Sequence, residues 1–185
     1  MYVKVAMCAF ILCTLFSSCV NKGSESKIIQ QARQTKIDIP VTRLLCLQPH
    51  NIITQRRVTQ HQDYRYVVYY DSLTCSICEL QRMSMWNGII DRTNEIGVGM
   101  EFLFIFAPGC GEKTDNFIKD YYQNKYNLTV FVDIVGCVLR QNPLLGNRIM
   151  HAFILDKNNN IVKIGDASRN KELEQKYYQY LYSIK

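Results

Sequence analysis

The chain has 185 residues, of which 48% are hydrophobic and 21% are charged. This composition is typical of a globular protein and excludes an intrinsically disordered one. The length suits one medium-sized domain with a tether and is short for two domains. The net charge of +6 comes from scattered basic residues. Because no zinc-finger spacing, RNP-like sequence or basic helix accompanies them, a nucleic-acid partner is not expected.

The N-terminus has the pattern of an export signal. Lys4 precedes an apolar run from Val5 to Phe16, which is too short to span a bilayer comfortably as a mature helix. The run ends in Leu15-Phe16-Ser17-Ser18-Cys19, which resembles the lipobox of bacterial lipoproteins. The resemblance implies a signal peptide over residues 1–18, diacylglycerol on the sulfur of Cys19, and a lipid-anchored place in the cell envelope, facing the periplasm. An ordinary secretory signal and an uncleaved membrane anchor remain the alternatives.

The following segment is polar and then becomes mixed. Residues 19–35 are rich in Lys, Ser, Glu and Gln without a sustained apolar period, which predicts a lipidated tether. Short apolar pieces around Pro40 and Pro49 predict a strand or two with turns between residues 36 and 62. The folded domain is therefore expected over residues 36–185.

Strands and helices alternate through the middle of the chain. Residues 64–70 are dense in Tyr and Val, which predicts a buried central strand. Apolar residues then recur at helical spacing over residues 77–97. Two further apolar runs, residues 100–106 and 128–135, predict strands on either side of a helix over about residues 113–122. This alternation indicates parallel pairing with right-handed crossovers.

The C-terminal part has a different pattern. Apolar runs at residues 151–155 and 161–164 are joined by Asp156-Lys157-Asn158-Asn159-Asn160, which predicts a hairpin because asparagine tolerates positive φ. Leu173, Tyr177 and Leu181 share one stripe of a predicted helix over residues 170–184. The predicted fold class is α/β, with a central mixed sheet flanked by helices.

Cys75 and Cys78 lie at the junction between the first predicted central strand and its helix. A separation of three residues lets the two sulfurs reach bonding distance, and the start of a helix stabilises a thiolate. Cys75, at the more exposed end, is predicted to attack, and Cys78, one turn inward, to resolve the mixed disulfide. Thr74 is placed to help cap the helix.

The order of elements around Cys75-Ser76-Ile77-Cys78 resembles the thioredoxin-like fold, and the added helix and strand before the hairpin resemble its TlpA-like branch. Asp71-Ser72-Leu73-Thr74 and the block from Phe153 to Val162 look like matching blocks of Bacteroidetes TlpA-like lipoproteins. The resemblance covers about residues 60–185. It implies a three-layer domain with an N-terminal extension and a thiol-disulfide oxidoreductase whose cofactor is its own redox-active disulfide. It further implies cysteine-containing envelope proteins as substrates, a thiol electron donor, and the reductase or isomerase direction.

The chain departs from this family at two positions. Thr74 replaces the aromatic residue before the first cysteine, and Met150 aligns with the proline that is usually cis and faces the substrate. Met150 is therefore expected to face the substrate or simply to pack, and a Cu(I) ligand set of Cys75, Cys78 and Met150 is conceivable. Because fold alone does not fix function, the alternative is a non-catalytic protein that binds a partner protein or Cu(I). No resident metal is predicted.

Three cysteines remain in the predicted domain. Cys110 and Cys137 follow the second and third predicted strands of the parallel portion, so both should emerge at the sheet edge that carries Cys75. A structural disulfide, a secondary redox pair and buried thiols are the open alternatives, and a structural disulfide or simple proximity is preferred over a catalytic role. Cys46 is expected to be buried as a small apolar residue.

Overall fold

The structure, a computed structural model, describes residues 25, 27–49, 51–53 and 62–185, with the backbone alone for 51–53. The chain divides into the units Met1–Thr35 and Lys36–Lys185. In the first unit, residues 27–34 are helical. The predicted signal peptide and Cys19 lie outside the described residues and stay predictions. Within the described ranges, no helix is both long and apolar enough to cross a membrane.

A mixed sheet forms the centre of the second unit. Among the described residues it has seven strands in the order β2-β1-β5-β4-β3-β6-β7. The three central strands, β5, β4 and β3, are parallel, whereas β1 and β6 run antiparallel to their neighbours. The strands are β1 (Leu45–Gln48), β2 (Asn51–Ile53), β3 (Tyr64–Tyr70), β4 (Met100–Phe106), β5 (Val130–Val132), β6 (Ala152–Asp156) and β7 (Ile161–Ile164).

The helices of this unit are α1 (Ser76–Gln81), α2 (Met85–Ile96), α3 (Glu112–Gln123), α4 (Cys137–Gln141) and α5 (Lys171–Ile184), with 3-10 turns at Val41–Arg43, Pro143–Gly146 and Arg148–His151. The single helix predicted over residues 77–97 is therefore two helices. Between them the amide of Arg82 donates to the carbonyl of Glu79 and that of Met83 to Leu80, both at 3.1 Å. These bonds to the third preceding residue tighten the turn and carry the side chain of Met83 into the core.

Strand β3 is buried on both faces. On one face, Tyr66 and its alternate neighbours belong to the core cluster that also holds residues of α1, α2, α3 and α5. There the rings of Tyr66 and Trp86 lie 5.2 Å apart, edge to face. On the other face, Tyr69 is buried and its ring lies 5.9 Å from that of His151. The central strand is thus covered on both sides, which confirms the three-layer arrangement.

Strands β5 and β6 have boundaries that differ from the sequence prediction. The third parallel strand is shorter than predicted, since it ends at Val132 and Asp133 turns the chain toward α4. Gly136, with φ of 68°, supplies the left-handed conformation just before that helix. His151 was expected in strand β6 but closes the 3-10 turn before it. Asn147 starts this turn by accepting a hydrogen bond from the amide of Ile149 at 3.0 Å.

Candidate active site at the carboxyl end of β3

Cys75 and Cys78 form a disulfide at the start of α1. Cys75 is the N-cap residue, and its Sγ accepts a hydrogen bond from the amide of Cys78 at 3.3 Å. Both cysteines are exposed, while Ser76 between them points into the protein. The inward position expected for Cys78 is therefore wrong. The role expected for Thr74 as a cap is taken instead by the sulfur of Cys75.

Asp71 holds the loop that leads into the disulfide. It follows β3 directly and is 8% exposed. Its Oδ1 accepts hydrogen bonds from the amide of Leu73 at 3.1 Å and from Oγ1 of Thr74 at 2.7 Å. The backbone of Thr74 also donates to the carbonyl of Asp71. A buried carboxylate with these bonds fixes the two residues before Cys75, and with them the direction in which the thiol leaves the sheet.

His151 lies on the other side of this carboxylate. Its Nε2 is 3.7 Å from Oδ2 of Asp71, too far for a hydrogen bond, and has no hydrogen-bond partner among the described residues. Burial lowers the pKa of His151, and although Asp71 opposes this shift, Arg148 and Arg169 add to it. The imidazole is therefore neutral at pH 7.

A second charged group lies next to Cys78. Glu79 accepts a hydrogen bond from Nη2 of Arg169 at 3.1 Å. The same guanidinium donates from Nε to Asp166 at 2.9 Å. Arg169 and Asp166 belong to the segment between β7 and α5, so this network ties α1 to the opposite side of the site.

These groups surround a cavity of about 570 Å³ beside the disulfide. Its wall includes Thr74 before the cysteine pair and Glu79 after it, and Ile149 and His151 face them. Met150, between the last two, has no exposed surface and does not contribute to the wall. Its amide donates to the carbonyl of Asn147 at 2.8 Å in the 3-10 turn, which directs the side chain inward.

The expectation that the side chain of Met150 faces the substrate is therefore wrong, and the packing alternative holds. No cis peptide bond occurs in the described ranges, at Met150 or elsewhere. A Cu(I) site that needs this thioether at the surface is not assembled. In the described part of the chain, no three His, Cys, Asp or Glu side chains cluster as metal ligands.

Cys110 and Cys137 are free thiols, so the structure does not contain the disulfide that was one of the two favoured alternatives for this pair. Cys137 is buried as the first residue of α4, whereas Cys110 is exposed, with its Sγ 3.5 Å from the carbonyl of Ile134. Burial, together with the neighbouring Asp133, raises the pKa of the Cys137 thiol. Cys46 is buried in β1, as expected.

Asp71, Glu79 and Arg169, which support the cysteine pair, are not among the site residues predicted from the sequence. Asp71 carries a readable signal, since a carboxylate directly after a buried parallel strand lies at the edge where sites collect. The pairing of Glu79 with Arg169 has no such signal in the sequence, because 90 residues separate them along the chain.

Solved structures share this fold. A thioredoxin-like protein solved in its oxidized form superposes with a TM-score of 0.51 and 12% identity, over 80% of this chain and 95% of the other. An uncharacterized thioredoxin-like protein from Porphyromonas gingivalis gives a TM-score of 0.51 and 13% identity, over 80% and 92% of the two chains. No family model matches the sequence, and no curated protein does either. The likeness shows the fold, which is thioredoxin-like.

Proposed function

We propose that this protein is a thiol-disulfide oxidoreductase that acts on cysteines of other proteins through Cys75 and Cys78. One observation carries the proposal: an exposed disulfide at the first turn of a helix, at the carboxyl end of a central parallel strand. Reactive sites in open α/β sheets collect at this edge. The fold itself is compatible with other tasks, so the function depends on the chemistry of this pair.

The reaction of the reduced pair follows from its geometry. The thiolate of Cys75 attacks one sulfur of a substrate disulfide, forms a mixed disulfide and releases the other substrate sulfur as a thiolate. Cys78 loses its proton and attacks Sγ of Cys75, which frees the second substrate sulfur. Two electrons pass to the substrate, and the Cys75–Cys78 disulfide is left on the protein. A thiol donor must then return two electrons and two protons.

The surface next to the disulfide suits a protein substrate. Leu73 is 79% exposed, and Ile77 between the two cysteines is exposed as well. We expect these apolar side chains to contact the residues that flank a partner's cysteines, because the buried core of a protein interface is poor in charged residues. The resemblance of the sequence to TlpA-like lipoproteins favours the reductase or isomerase direction, with other envelope proteins as substrates.

Insulin reduction with dithiothreitol as electron donor tests the proposal. The Cys75→Ser variant should lose the activity. The Cys78→Ser variant, reduced and then mixed with insulin after dithiothreitol is removed, should attack the substrate and accumulate a mixed disulfide with it. Cys110→Ser is the matched control, because it removes an exposed thiol outside the pair and should leave the rate unchanged. The function would be refuted if the wild-type protein did not reduce insulin and the Cys78→Ser variant formed no mixed disulfide with it.

The place of the protein in the cell is a separate part of the proposal. The lipobox-like sequence that ends at Cys19 supports cleavage before this residue, a diacylglycerol anchor and a position in the bacterial envelope. Growth of expressing cells with a clickable fatty acid should label the protein, and Cys19→Ser should remove the label. A label that persists in this variant would contradict the anchor.

A further inference from the structure

We propose that the Glu79–Arg169 ion pair sets how readily the Cys75–Cys78 disulfide is reduced, with Arg169 as a positioning residue that neutralises the carboxylate beside the thiolate. This inference rests on the oxidoreductase function proposed above. It concerns the equilibrium between the disulfide and dithiol forms of Cys75 and Cys78, which neither the motif nor the fold specifies.

Glu79 is placed to act on the attacking sulfur. It follows Cys75 by four residues, and its amide donates to the carbonyl of Cys75 at 3.0 Å. Because Cys75 is the N-cap residue, this bond closes the first turn of the helix, and Glu79 lines the same cavity as Thr74, the residue before Cys75. The Glu79 side chain is only 13% exposed, so water screens its charge poorly. An uncompensated carboxylate here would oppose the formation of a Cys75 thiolate.

Arg169 supplies the compensation, and the fold holds it in place. Its Nη2 donates to Glu79 at 3.1 Å, and its Nε donates to Asp166 at 2.9 Å. The same segment is fixed to β3 by the hydroxyl of Tyr66, which donates to the carbonyl of Gly165 at 2.6 Å and accepts from the amide of Ala167 at 2.9 Å. Although burial acts to lower the pKa of Arg169, the carboxylates of Glu79 and Asp166 raise it. The guanidinium is therefore a fixed positive charge.

The other charged groups around the pair contribute less to Glu79. Arg82, on the same helical segment, is as exposed as Arg169 but lies 3.8 Å from Glu79, against 3.1 Å for the hydrogen-bonded Arg169. Asp71 and His151 face the loop before Cys75, and Arg148 lines the far side of the cavity. All of these side chains are retained when either member of the ion pair is neutralised, although loss of the Arg169 charge also removes one of the effects that lower the pKa of His151. Removal of one member therefore changes the charge beside Cys75 in a known direction.

Two variants separate the electrostatic role from a structural one. Glu79→Gln removes a negative charge, which favours the thiolate and hence the reduced protein. Arg169→Gln leaves the charge of Glu79 uncompensated, which disfavours the Cys75 thiolate and therefore the reduced protein. The equilibrium constant for reduction by glutathione, in which two glutathione thiols yield the protein dithiol and one glutathione disulfide, should rise in Glu79→Gln and fall in Arg169→Gln. We expect each change to be roughly three- to tenfold. Arg169→Lys should restore most of the wild-type value.

The pH profile of Cys75 alkylation in chemically reduced full-length protein, followed by mass spectrometry of its peptide, gives an independent readout. The midpoint should move to lower pH in Glu79→Gln and to higher pH in Arg169→Gln. If the pair only anchored α1, both variants would lose the same contact and shift in one direction, which would overturn the inference. A wild-type protein that fails to exchange with glutathione would refute the proposed function instead, and the alkylation profiles would still decide the charge effect.

Discussion

Two strand-to-helix junctions at the same edge of the sheet use an aspartate and a cysteine in different ways. After β5, Asp133 is 2% exposed. It accepts hydrogen bonds from the amides of Cys137 and Val138 at 2.8 and 2.9 Å. After β3, Asp71 binds Leu73 and Thr74, the residues before the cysteine. In one case the carboxylate caps the helix itself, and in the other it holds only the approach to the helix.

This difference decides the state of the thiol. Because Asp133 takes the first amides of α4, Cys137 is drawn inside as the first helical residue, where burial raises its pKa. Because Asp71 stops short of α1, Cys75 must cap that helix with its own sulfur, which stays exposed. The residue types are the same at both junctions. The carboxylate also precedes the cysteine by four residues at both junctions. What separates an inert thiol from a reactive one is therefore the place where the helix begins, at Cys137 itself in one case and directly after Cys75 in the other.

The largest expected effect is on thiol reactivity. In reduced protein at pH 7, iodoacetamide should modify Cys75 at least about 100-fold faster than Cys137, since the buried thiol is both less accessible and less ionised. Mass spectrometry of the two peptides over time measures both rates. In urea the two rates should converge, which serves as the control. Comparable rates in the native protein would refute the contrast between the two junctions.

Of the two strand-to-helix junctions, only the one at Cys75 could be predicted from the local sequence pattern. Strand β3 and the helix at Cys75 were predicted because a run of Tyr and Val gives way to a helical period. The helix that begins at Cys137 was not predicted, because α4 is a five-residue helix and is too short to show a period. The packing of Met150 was one of the two alternatives drawn from the sequence, but the 3-10 turn that directs this side chain inward was not predicted, since tertiary packing selects it.

Removal of each carboxylate in turn should lower the free energy of unfolding by a different amount at the two junctions. Asp133→Ala leaves two buried amides without an acceptor and should lower the free energy of unfolding by about 2–4 kcal/mol. Asp71→Ala affects a loop closer to solvent and should cost about 1–2 kcal/mol. Urea denaturation monitored through the fluorescence of Trp86 measures both. Asp133→Asn, which keeps one acceptor, should recover part of the loss. An Asp71→Ala cost equal to or above that of Asp133→Ala would contradict the difference.

The smallest effect concerns His151, which has no counterpart beside Asp133 in the described structure. Because folding lowers its pKa, the unfolded chain binds a proton near the ordinary pKa of about 6.5 while the folded chain does not. The stability associated with neutral His151 is thus present above about pH 6.5 and is lost as the pH falls toward the folded pKa. Between pH 7.5 and 5.5 the wild type should lose about 0.5–1 kcal/mol more than His151→Gln in urea denaturation. If the wild type instead gained stability relative to His151→Gln at pH 5.5, a charged His151–Asp71 pair would outweigh burial, and the two junctions would differ by an ion pair as well.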